Sequence, residues 1–207
     1  MGRASDEIIC LYERTASAWM EARGAQAAER SWMDRLTAGR VPNAAILDIG
    51  CGHGLPLAAE LVRRGFRVTG VDAAPSLIAA ARANVPGAEF QVADMRRLAL
   101  GRRFDALLAW HSFFHLAADD QRAMFPIFAA HAAPGARLMF TSGAEAGEAI
   151  GEWQGEPLHH ASLSPDEYRD LLGANGFEVE SFSGPGQEAT VWTALYMRPA
   201  SGLDGSA

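Results

Sequence analysis

Residues 45–54 read A-I-L-D-I-G-C-G-H-G, a short apolar run that ends in three closely spaced glycines. An apolar run of this kind followed at once by glycines predicts a buried strand that opens directly onto a helix. Because glycine has no Cβ, Gly50, Gly52 and Gly54 allow positive φ and a close approach of the backbone to a bound molecule. The stretch therefore predicts a ligand site at this turn rather than a plain connection between strand and helix.

The spacing of these glycines indicates which ligand fits. A dinucleotide-binding turn has G-x-G-x-x-G with the pyrophosphate on the helix N-terminus, whereas here Gly54 comes one residue early. Asp48 lies at the carboxyl end of the strand, where its carboxylate repels a pyrophosphate and attracts an amino or sulfonium group. The next predicted strand ends in Asp72, about 20 residues after the glycines, the interval at which an acid binds ribose hydroxyls. A nucleoside with a positive centre and no phosphate fits this pattern, and S-adenosylmethionine is the common molecule of that description.

Four motifs, in order, resemble those of the class I S-adenosylmethionine-dependent methyltransferases that act on small molecules. Residues 48–54 are similar to that family's D-x-G-C-G-x-G loop, and Asp72 to its ribose-binding acid. Residues 93–95, A-D-M, resemble its adenine-binding segment, and residues 104–110 its fourth strand. The resemblance extends from about residue 46 to residue 142.

The resemblance implies an α/β fold: a Rossmann-like, seven-stranded, mostly parallel sheet with helices on both faces and an antiparallel last strand. The alternation of strand and helix patterns after residue 45 independently predicts a parallel sheet with right-handed crossovers. We expect three segments: an N-terminal helical lid over residues 1–40, a methyltransferase domain over 41–198, and a mobile tail over 199–207.

The methyl donor, by the same resemblance, lies across the carboxyl ends of the first, second and fourth strands. The expected donor-binding residues are Asp48, Gly50, Cys51, Gly52, Asp72, Ala73, Asp94, Met95 and Trp110. Asp94 is expected to accept a hydrogen bond from the adenine amino group, and the alternative is that it only caps a helix. The implied cofactor is S-adenosyl-L-methionine, which leaves as S-adenosyl-L-homocysteine.

Residues 110–115, W-H-S-F-F-H, form the richest cluster of polar and aromatic side chains in the chain. His111 is closer to the strand end and is the candidate for a catalytic base or an acceptor contact. His115 is a further candidate for an acceptor contact, although a histidine in such a place is often only hydrogen-bonded into the core. Their i, i+4 spacing puts both on one face of a helical turn, a spacing that is also found in zinc sites. No Glu stands between them and Cys51 is already part of the glycine loop, so we expect no metal.

Two further segments are candidates for covering the site. Residues 4–36 have helical spacing with Tyr12 and Trp19 on one stripe, which predicts either a lid over the ligand or plain packing on the sheet. Residues 142–163 lose all periodicity and contain four glycines and four glutamates, which predicts a long loop. We interpret this loop as a substrate cover with Trp153, His159 and His160 as possible acceptor contacts, or alternatively as a solvated excursion.

Composition restricts the choice of partners. The 207 residues, 49% of them hydrophobic, suit one domain with one good core. The formal charge of -7, from 18 basic and 25 acidic residues without a basic run, disfavours a nucleic acid. Two cysteines, no apolar stretch of ~18 residues and no signal-peptide core predict a cytoplasmic protein without membrane association. The oligomeric state does not follow from the sequence.

The sequence thus predicts an enzyme that transfers a methyl group in line from S-adenosylmethionine to a small-molecule acceptor. Two alternatives stay open at this point. A domain that binds the donor without catalysis would keep every motif. An NAD(P)-dependent oxidoreductase would share the sheet and the ribose acid, but Asp48 and the glycine spacing count against it.

Overall fold

The computed structural model describes residues 4–23, 29–183 and 190–197 of the chain. Its helices are α1 (Ala4–Arg14), α2 (Ala16–Ala22), α3 (Glu29–Thr37), α4 (Leu57–Arg63), α5 (Pro75–Asn84), α6 (Ala118–His131) and α7 (Pro165–Ala174). Its strands are β1 (Ala45–Ile49), β2 (Arg67–Asp72), β3 (Glu89–Val92), β4 (Phe104–Ala109), β5 (Ala132–Ser142), β6 (Gly147–Trp153), β7 (Glu156–Ser162), β8 (Phe177–Phe182) and β9 (Thr190–Tyr196). Two 3₁₀ turns cover Met95–Arg97 and Phe113–His115.

Seven of these strands form one sheet in the order β3-β2-β1-β4-β5-β9-β8. The strands from β3 to β5 pair in parallel, whereas β9 is antiparallel to both β5 and β8. The strand order reverses between β1 and β4, and a sheet of this kind binds ligands beyond the carboxyl ends of its strands at such a reversal. The predicted seven-stranded, mostly parallel sheet with an antiparallel last strand is confirmed.

Each face of the sheet has its own hydrophobic core. Successive side chains of a strand point to opposite faces. Ile46 packs with α3, α4 and α5 on one face, while Leu47 and Ile49 pack with α6 and α7 on the other. All three side chains are fully buried, so β1 lies between two layers of helices.

The residues after β5 form an antiparallel hairpin, and the predicted loop over 142–163 is wrong in this respect. Strands β6 and β7 pair from Gly147 with Ser162 to Trp153 with Glu156. Gln154 and Gly155, both at positive φ, join the strands, as a two-residue hairpin of the primed type requires. Strand β6 is exposed on both faces and therefore lacks the apolar alternation that would have predicted it.

Pro134 and Gly135 predict a fifth strand over residues 136–141, whereas β5 begins at Ala132. Phe104 pairs with Ala132, whereas Ala106 pairs with Arg137, so extra residues bulge out of the ladder between them. Pro134 and Gly135 lie in this irregularity, where a missing N–H and a positive φ are tolerated.

The N-terminal helices lie beside the ligand end of the sheet. Ala16 of α2 packs against Ala74 and Leu77 at the start of α5, with Tyr12 and Trp19 against this group. The division into a lid (1–40) and a methyltransferase domain (41–198) stays a prediction. The predicted tail over residues 199–207 lies outside the described residues.

Candidate functional site

Three neighbouring cavities lie beyond the carboxyl ends of β1, β2 and β4. The central cavity is lined among others by Tyr12, Trp19, Gly50, Asp72, Met95 and His111. The hairpin cavity is lined by residues from β6 and β7 together with His111, Phe114 and Ser142. The loop cavity is lined by the glycine loop together with Arg23, Asp48, Trp110 and His111.

The glycine loop has the backbone that its sequence predicts. Gly50, Gly52 and Gly54 all have positive φ, of 76°, 55° and 79°. A Cβ added to Gly50 would lie 2.3 Å from Cβ of Ser112, and one added to Gly52 would lie 3.4 Å from Nε1 of Trp19. Gly50 is therefore required by a close approach within the protein, and Gly52 lies next to Trp19 of α2.

Asp72 holds the glycine loop against the next helix. Its Oδ2 accepts a hydrogen bond from the Gly52 N–H at 2.9 Å, and its Oδ1 accepts one from the Ala74 N–H at 2.9 Å. Burial raises the pKa of this carboxyl, while the backbone N–H groups act in the opposite direction. Each carboxylate oxygen can accept a second hydrogen bond, so Asp72 can still bind hydroxyl groups in the central cavity, which it lines.

The loop cavity contains charges of both signs. Asp48 is 2% exposed and lines this cavity, as does Arg23 at the end of α2. Cys51 also lines it, and burial together with Asp48 and Asp72 raises the pKa of its thiol. Trp110 forms one wall, with its ring centroid 5.1 Å from that of His111.

The predicted adenine segment lines the central cavity, but Asp94 already has protein partners. Its carboxylate accepts a hydrogen bond from the Arg96 N–H at 3.0 Å and forms an ion pair with the Arg96 guanidinium at 2.6 Å. Burial opposes ionisation of Asp94, yet these partners outweigh it and lower the pKa of the carboxyl. Asp94 therefore caps the 3₁₀ turn, as the alternative interpretation expected, and faces the cavity together with Ala73 and Met95.

His111 lines all three cavities. Its φ is 51°, in the left-handed region, and its backbone N–H donates to Oγ1 of Thr141 at 2.8 Å. Burial and the nearby Arg23 lower the pKa of its imidazole to about 4. The side chain is consequently neutral at neutral pH, so it can accept a hydrogen bond at the junction of the cavities.

The predicted helical face shared by His111 and His115 does not exist. His111 lies outside any helix, because the 3₁₀ turn begins only at Phe113. Among residues 4–23, 29–183 and 190–197, no three side chains of His, Cys, Asp or Glu come together as metal ligands.

The N-terminal helices line the central cavity and are held where α1 meets α2. Glu13 accepts hydrogen bonds from the backbone N–H and the hydroxyl of Ser76, at 3.0 and 2.5 Å. Close by, Nε1 of Trp153 donates to Oγ1 of Thr15 at 3.0 Å, and the Trp153 ring packs edge-on against Trp19. Tyr12 and Trp19 of these helices, the predicted lid, line the cavity.

The six candidates for acceptor contacts separate into three groups. Tyr12, Trp19 and His115 line the central cavity, and only His160 lines the hairpin cavity. Trp153 and His159 line none of the three cavities, since Trp153 packs on the lid and His159 is 6% exposed. Their contact with an acceptor stays a prediction that this geometry does not favour.

Sequence reasoning missed several lining residues. Arg23, Ser112, Ser142, Glu145 and Glu148 all face one of the cavities. Glu145 and Glu148 belong to the segment expected to be a loop. The sequence feature that could have predicted its hairpin is Gly155 directly after a polar residue, a pair typical of a two-residue turn. For Arg23 the available signal was its position at the end of the predicted lid helix, one residue before Gly24.

The sheet order, the glycine loop and the acid at the end of β2 define the class: a Rossmann-like fold of the class I methyltransferase type. A family model described as "Methyltransferase domain" matches residues 19–181, and the chain belongs to this family. The resemblance noted in the sequence is thereby confirmed.

Two curated relatives illustrate the similarity. An O-methyltransferase from Pyrenophora dematioidea is 30% identical over 150 residues, covering 67% of this chain and 55% of that protein. A trans-aconitate 2-methyltransferase from Klebsiella pneumoniae is 27% identical over 174 residues, covering 74% of this chain and 60% of that protein. The chain thus spans between half and two thirds of the length of these relatives.

Solved structures share the fold at low sequence identity. The magnesium protoporphyrin IX methyltransferase from Synechocystis, solved with bound S-adenosylmethionine, has a TM-score of 0.73 at 18% identity, covering 94% of this chain and 98% of that one. A 1,6-didemethyltoxoflavin N1-methyltransferase from Burkholderia thailandensis, solved with bound 1,6-didemethyltoxoflavin and S-adenosylhomocysteine, has a TM-score of 0.72 at 22% identity, covering 96% of this chain and 92% of that one. Within the described ranges, each helix is too short or too polar to cross a lipid bilayer.

Proposed function

We propose that this protein transfers a methyl group from S-adenosylmethionine to a small-molecule acceptor. The observation that carries the proposal is the arrangement of Asp72 and the positive-φ glycine loop in one cavity, with Asp48 and Arg23 in the adjoining one. Together these groups complement a sulfonium nucleoside that bears an amino acid.

The adenosine part of the donor is assigned to the central cavity. Asp72 there accepts hydrogen bonds from the ribose hydroxyls, while Ala73, Asp94 and Met95 surround the adenine. Met95 offers an adaptable apolar wall that suits an aromatic base. Asp94 lines this cavity and, although it is paired with Arg96, is the acceptor that we assign to the adenine amino group.

The amino acid part of the donor is assigned to the loop cavity. An α-amino acid carries an ammonium and a carboxylate, and the cavity offers Asp48 for the first and Arg23 for the second. Gly50 and Gly52 line both cavities, so the sulfonium between the two parts of the donor lies over the bare backbone of the glycine loop.

The acceptor is assigned to the hairpin cavity, with His111 at its junction with the donor. In the transfer, the acceptor atom forms a bond to the methyl carbon while the carbon–sulfur bond breaks and its electron pair stays on sulfur. An acceptor that is protonated at neutral pH also loses a proton, which the neutral imidazole of His111 takes up. Beyond this, the protein aligns the two reactants and excludes water.

A thermal-shift experiment tests the donor assignment. A ligand at ~100 times its dissociation constant adds about 2.7 kcal/mol of stability. S-adenosylmethionine and S-adenosylhomocysteine are expected to raise the Tm, whereas NAD is not. No shift with either sulfur nucleoside, or a shift with NAD instead, would overturn the proposal.

The variant Asp72→Ala tests whether the donor binds at the proposed site. It removes an acceptor of ribose hydroxyls and loosens the glycine loop, so the Kd for S-adenosylhomocysteine is expected to rise about 10-fold or more. The matched control is Asp170→Ala, which removes an exposed carboxylate from α7 that lines none of the three cavities. Donor binding without turnover of any acceptor in a broad panel would favour the non-catalytic alternative.

The proposal includes the cellular compartment of the protein, which we assign to the cytoplasm. Cys10 and Cys51 are both free thiols, and Cys51 is part of the glycine loop, which favours a reducing cytoplasm. Fractionation of cells that express the tagged protein tests this placement.

A further inference from the structure

The hairpin cavity, given the proposed function, is where the acceptor binds, and its walls restrict the chemistry of that acceptor. His111 belongs both to this cavity and to the central cavity, so a molecule in the hairpin cavity reaches the methyl donor at this one side chain. The remaining walls come from the 3₁₀ turn before α6, from the end of β5 and from the two strands of the hairpin.

One wall of the hairpin cavity is built from aromatic rings. The centroids of Phe114 and His160 are 5.2 Å apart with an interplanar angle of 39°, and those of His111 and Phe114 are 5.9 Å apart. Burial lowers the pKa of both His111 and His160, so this wall is uncharged at neutral pH. Neutral rings of this kind attract planar aromatic molecules and cations through their faces.

The charged side chains of this cavity have one sign. Glu145 and Glu148 line it, and Oε2 of Glu148 lies 3.7 Å from Nε2 of the buried His159. Within residues 4–23, 29–183 and 190–197, the lining contains neither arginine nor lysine. An acceptor with several carboxylates would lose hydration here and gain no cationic partner in return.

An arginine is found instead in the neighbouring cavity, which we assign to the donor. Arg23 lines the loop cavity and is not part of the hairpin cavity. The chain is similar to trans-aconitate 2-methyltransferases, which are named for a tricarboxylate. The position of Arg23 therefore bears on whether this chain can bind such a compound. The hairpin cavity lacks the positive charge that such a compound would require.

From the aromatic wall, the two carboxylates and the shared position of His111, we infer that the acceptor is a planar aromatic molecule. It is neutral or positively charged and presents a hydroxyl or amino group to His111. The oxygen or nitrogen of that group forms the bond to the methyl carbon, the carbon–sulfur bond breaks toward sulfur, and the departing proton passes to the His111 imidazole.

Equilibrium binding to the protein saturated with S-adenosylhomocysteine tests this inference. The probes are a hydroxyquinoline, its N-methyl cation, the same ring carrying two carboxylates, and the aliphatic tricarboxylate trans-aconitate. The neutral and cationic rings are expected to bind about 10-fold or more tightly than either polyanion. Equal or tighter binding of a polyanion, or saturable binding by none of the probes, overturns the inference.

A charge-removing variant tests the part played by the two glutamates. In the double variant Glu145→Gln/Glu148→Gln, the preference for the cationic ring over the dicarboxylate is expected to fall about 3-fold or more. The matched control Glu178→Gln removes a carboxylate from edge strand β8, outside the three cavities, and is expected to leave the preference unchanged. An unchanged preference in the double variant contradicts the inference.

The Kd for S-adenosylhomocysteine, measured for every variant, distinguishes a failure of the proposed function from a failure of the acceptor assignment. Failure of the wild-type protein to bind this nucleoside counts against the proposed function itself. Normal nucleoside binding with the opposite order of probes overturns only the assignment of the acceptor class.

Discussion

The hydroxyl of Tyr12 lies 2.9 Å from Nε2 of His115, and Nδ1 of the same imidazole lies 3.0 Å from the carbonyl oxygen of His159. A carbonyl oxygen can only accept, so Nδ1 carries the proton and Nε2 accepts from the Tyr12 hydroxyl. Burial raises the pKa of Tyr12, which keeps the phenol protonated for this role. One imidazole therefore joins the lid helix α1 to strand β7 of the hairpin, beside the central cavity.

The variant Tyr12→Phe removes this hydrogen bond and leaves the ring in place. Because a typical hydrogen bond contributes about 0.5 to 1.5 kcal/mol, we expect the Kd for S-adenosylhomocysteine to rise roughly 3- to 10-fold. Titration calorimetry measures this change. Tyr196→Phe, at a buried tyrosine of β9 outside the three cavities, is the control, and equal effects in both variants would contradict a role for Tyr12 in holding the lid.

The variant His111→Asn tests the proton acceptor. Asparagine tolerates a positive φ better than alanine does, so this change removes the imidazole with little backbone strain. We expect kcat to fall on the order of 100-fold or more, and the Kd for S-adenosylhomocysteine to stay within about 3-fold of the wild type. Unchanged turnover would remove His111 from the mechanism.

The dependence of stability on pH follows from the two histidines with strongly lowered pKa values. In the folded protein the pKa of His111 and that of His115 are both about 4, against an ordinary value of 6.5. The unfolded chain therefore takes up protons first as the pH falls. The stabilisation is complete above about pH 6.5 and is lost as the pH decreases through about 4.

Chemical denaturation at several pH values checks this dependence for His115, which is 7% exposed. We expect the loss of unfolding free energy between about pH 7 and pH 4 to be smaller in His115→Gln than in the wild type, by about 2 to 3 kcal/mol. We compare the change of unfolding free energy with pH and not its absolute value, because the variant also loses hydrogen bonds at every pH. Parallel curves for the two proteins would contradict the lowered pKa.

A pair of glycine variants separates backbone strain from steric overlap. Gly50→Ala places a Cβ 2.3 Å from Cβ of Ser112 at a φ of 76°, whereas Gly101→Ala has a similar φ of 65° with open space around the added carbon. We expect Gly101→Ala to cost about 1 to 2 kcal/mol and Gly50→Ala at least about 1 kcal/mol more, since overlap adds to strain. Denaturant unfolding measures both, and equal losses would show that the contact with Ser112 relaxes freely.

Much of the fold could be predicted because its determinants are local. The sequence predicts a helix over residues 75–84 and strands over residues 89–92 and 177–182. Helix α5 and strands β3 and β8 have these bounds, since proline, glycine and apolar periodicity mark where each begins and ends. The hairpin β6–β7 could not be predicted in this way. Its exposed strand has no apolar pattern, and its stability comes from pairing with β7 and from contacts with the lid.

The sequence by itself determined the glycine loop and the acids Asp48 and Asp72 at the ends of their strands. Positive φ is a property of single residues, and the carboxyl ends of parallel strands meet at one edge of a sheet. Only the tertiary structure decided which protein group holds Asp94, which atom of His115 accepts from Tyr12, and that His111 joins three cavities. These relationships depend on rotamers and on the packing of elements far apart in the chain, and no local pattern of residues encodes that packing.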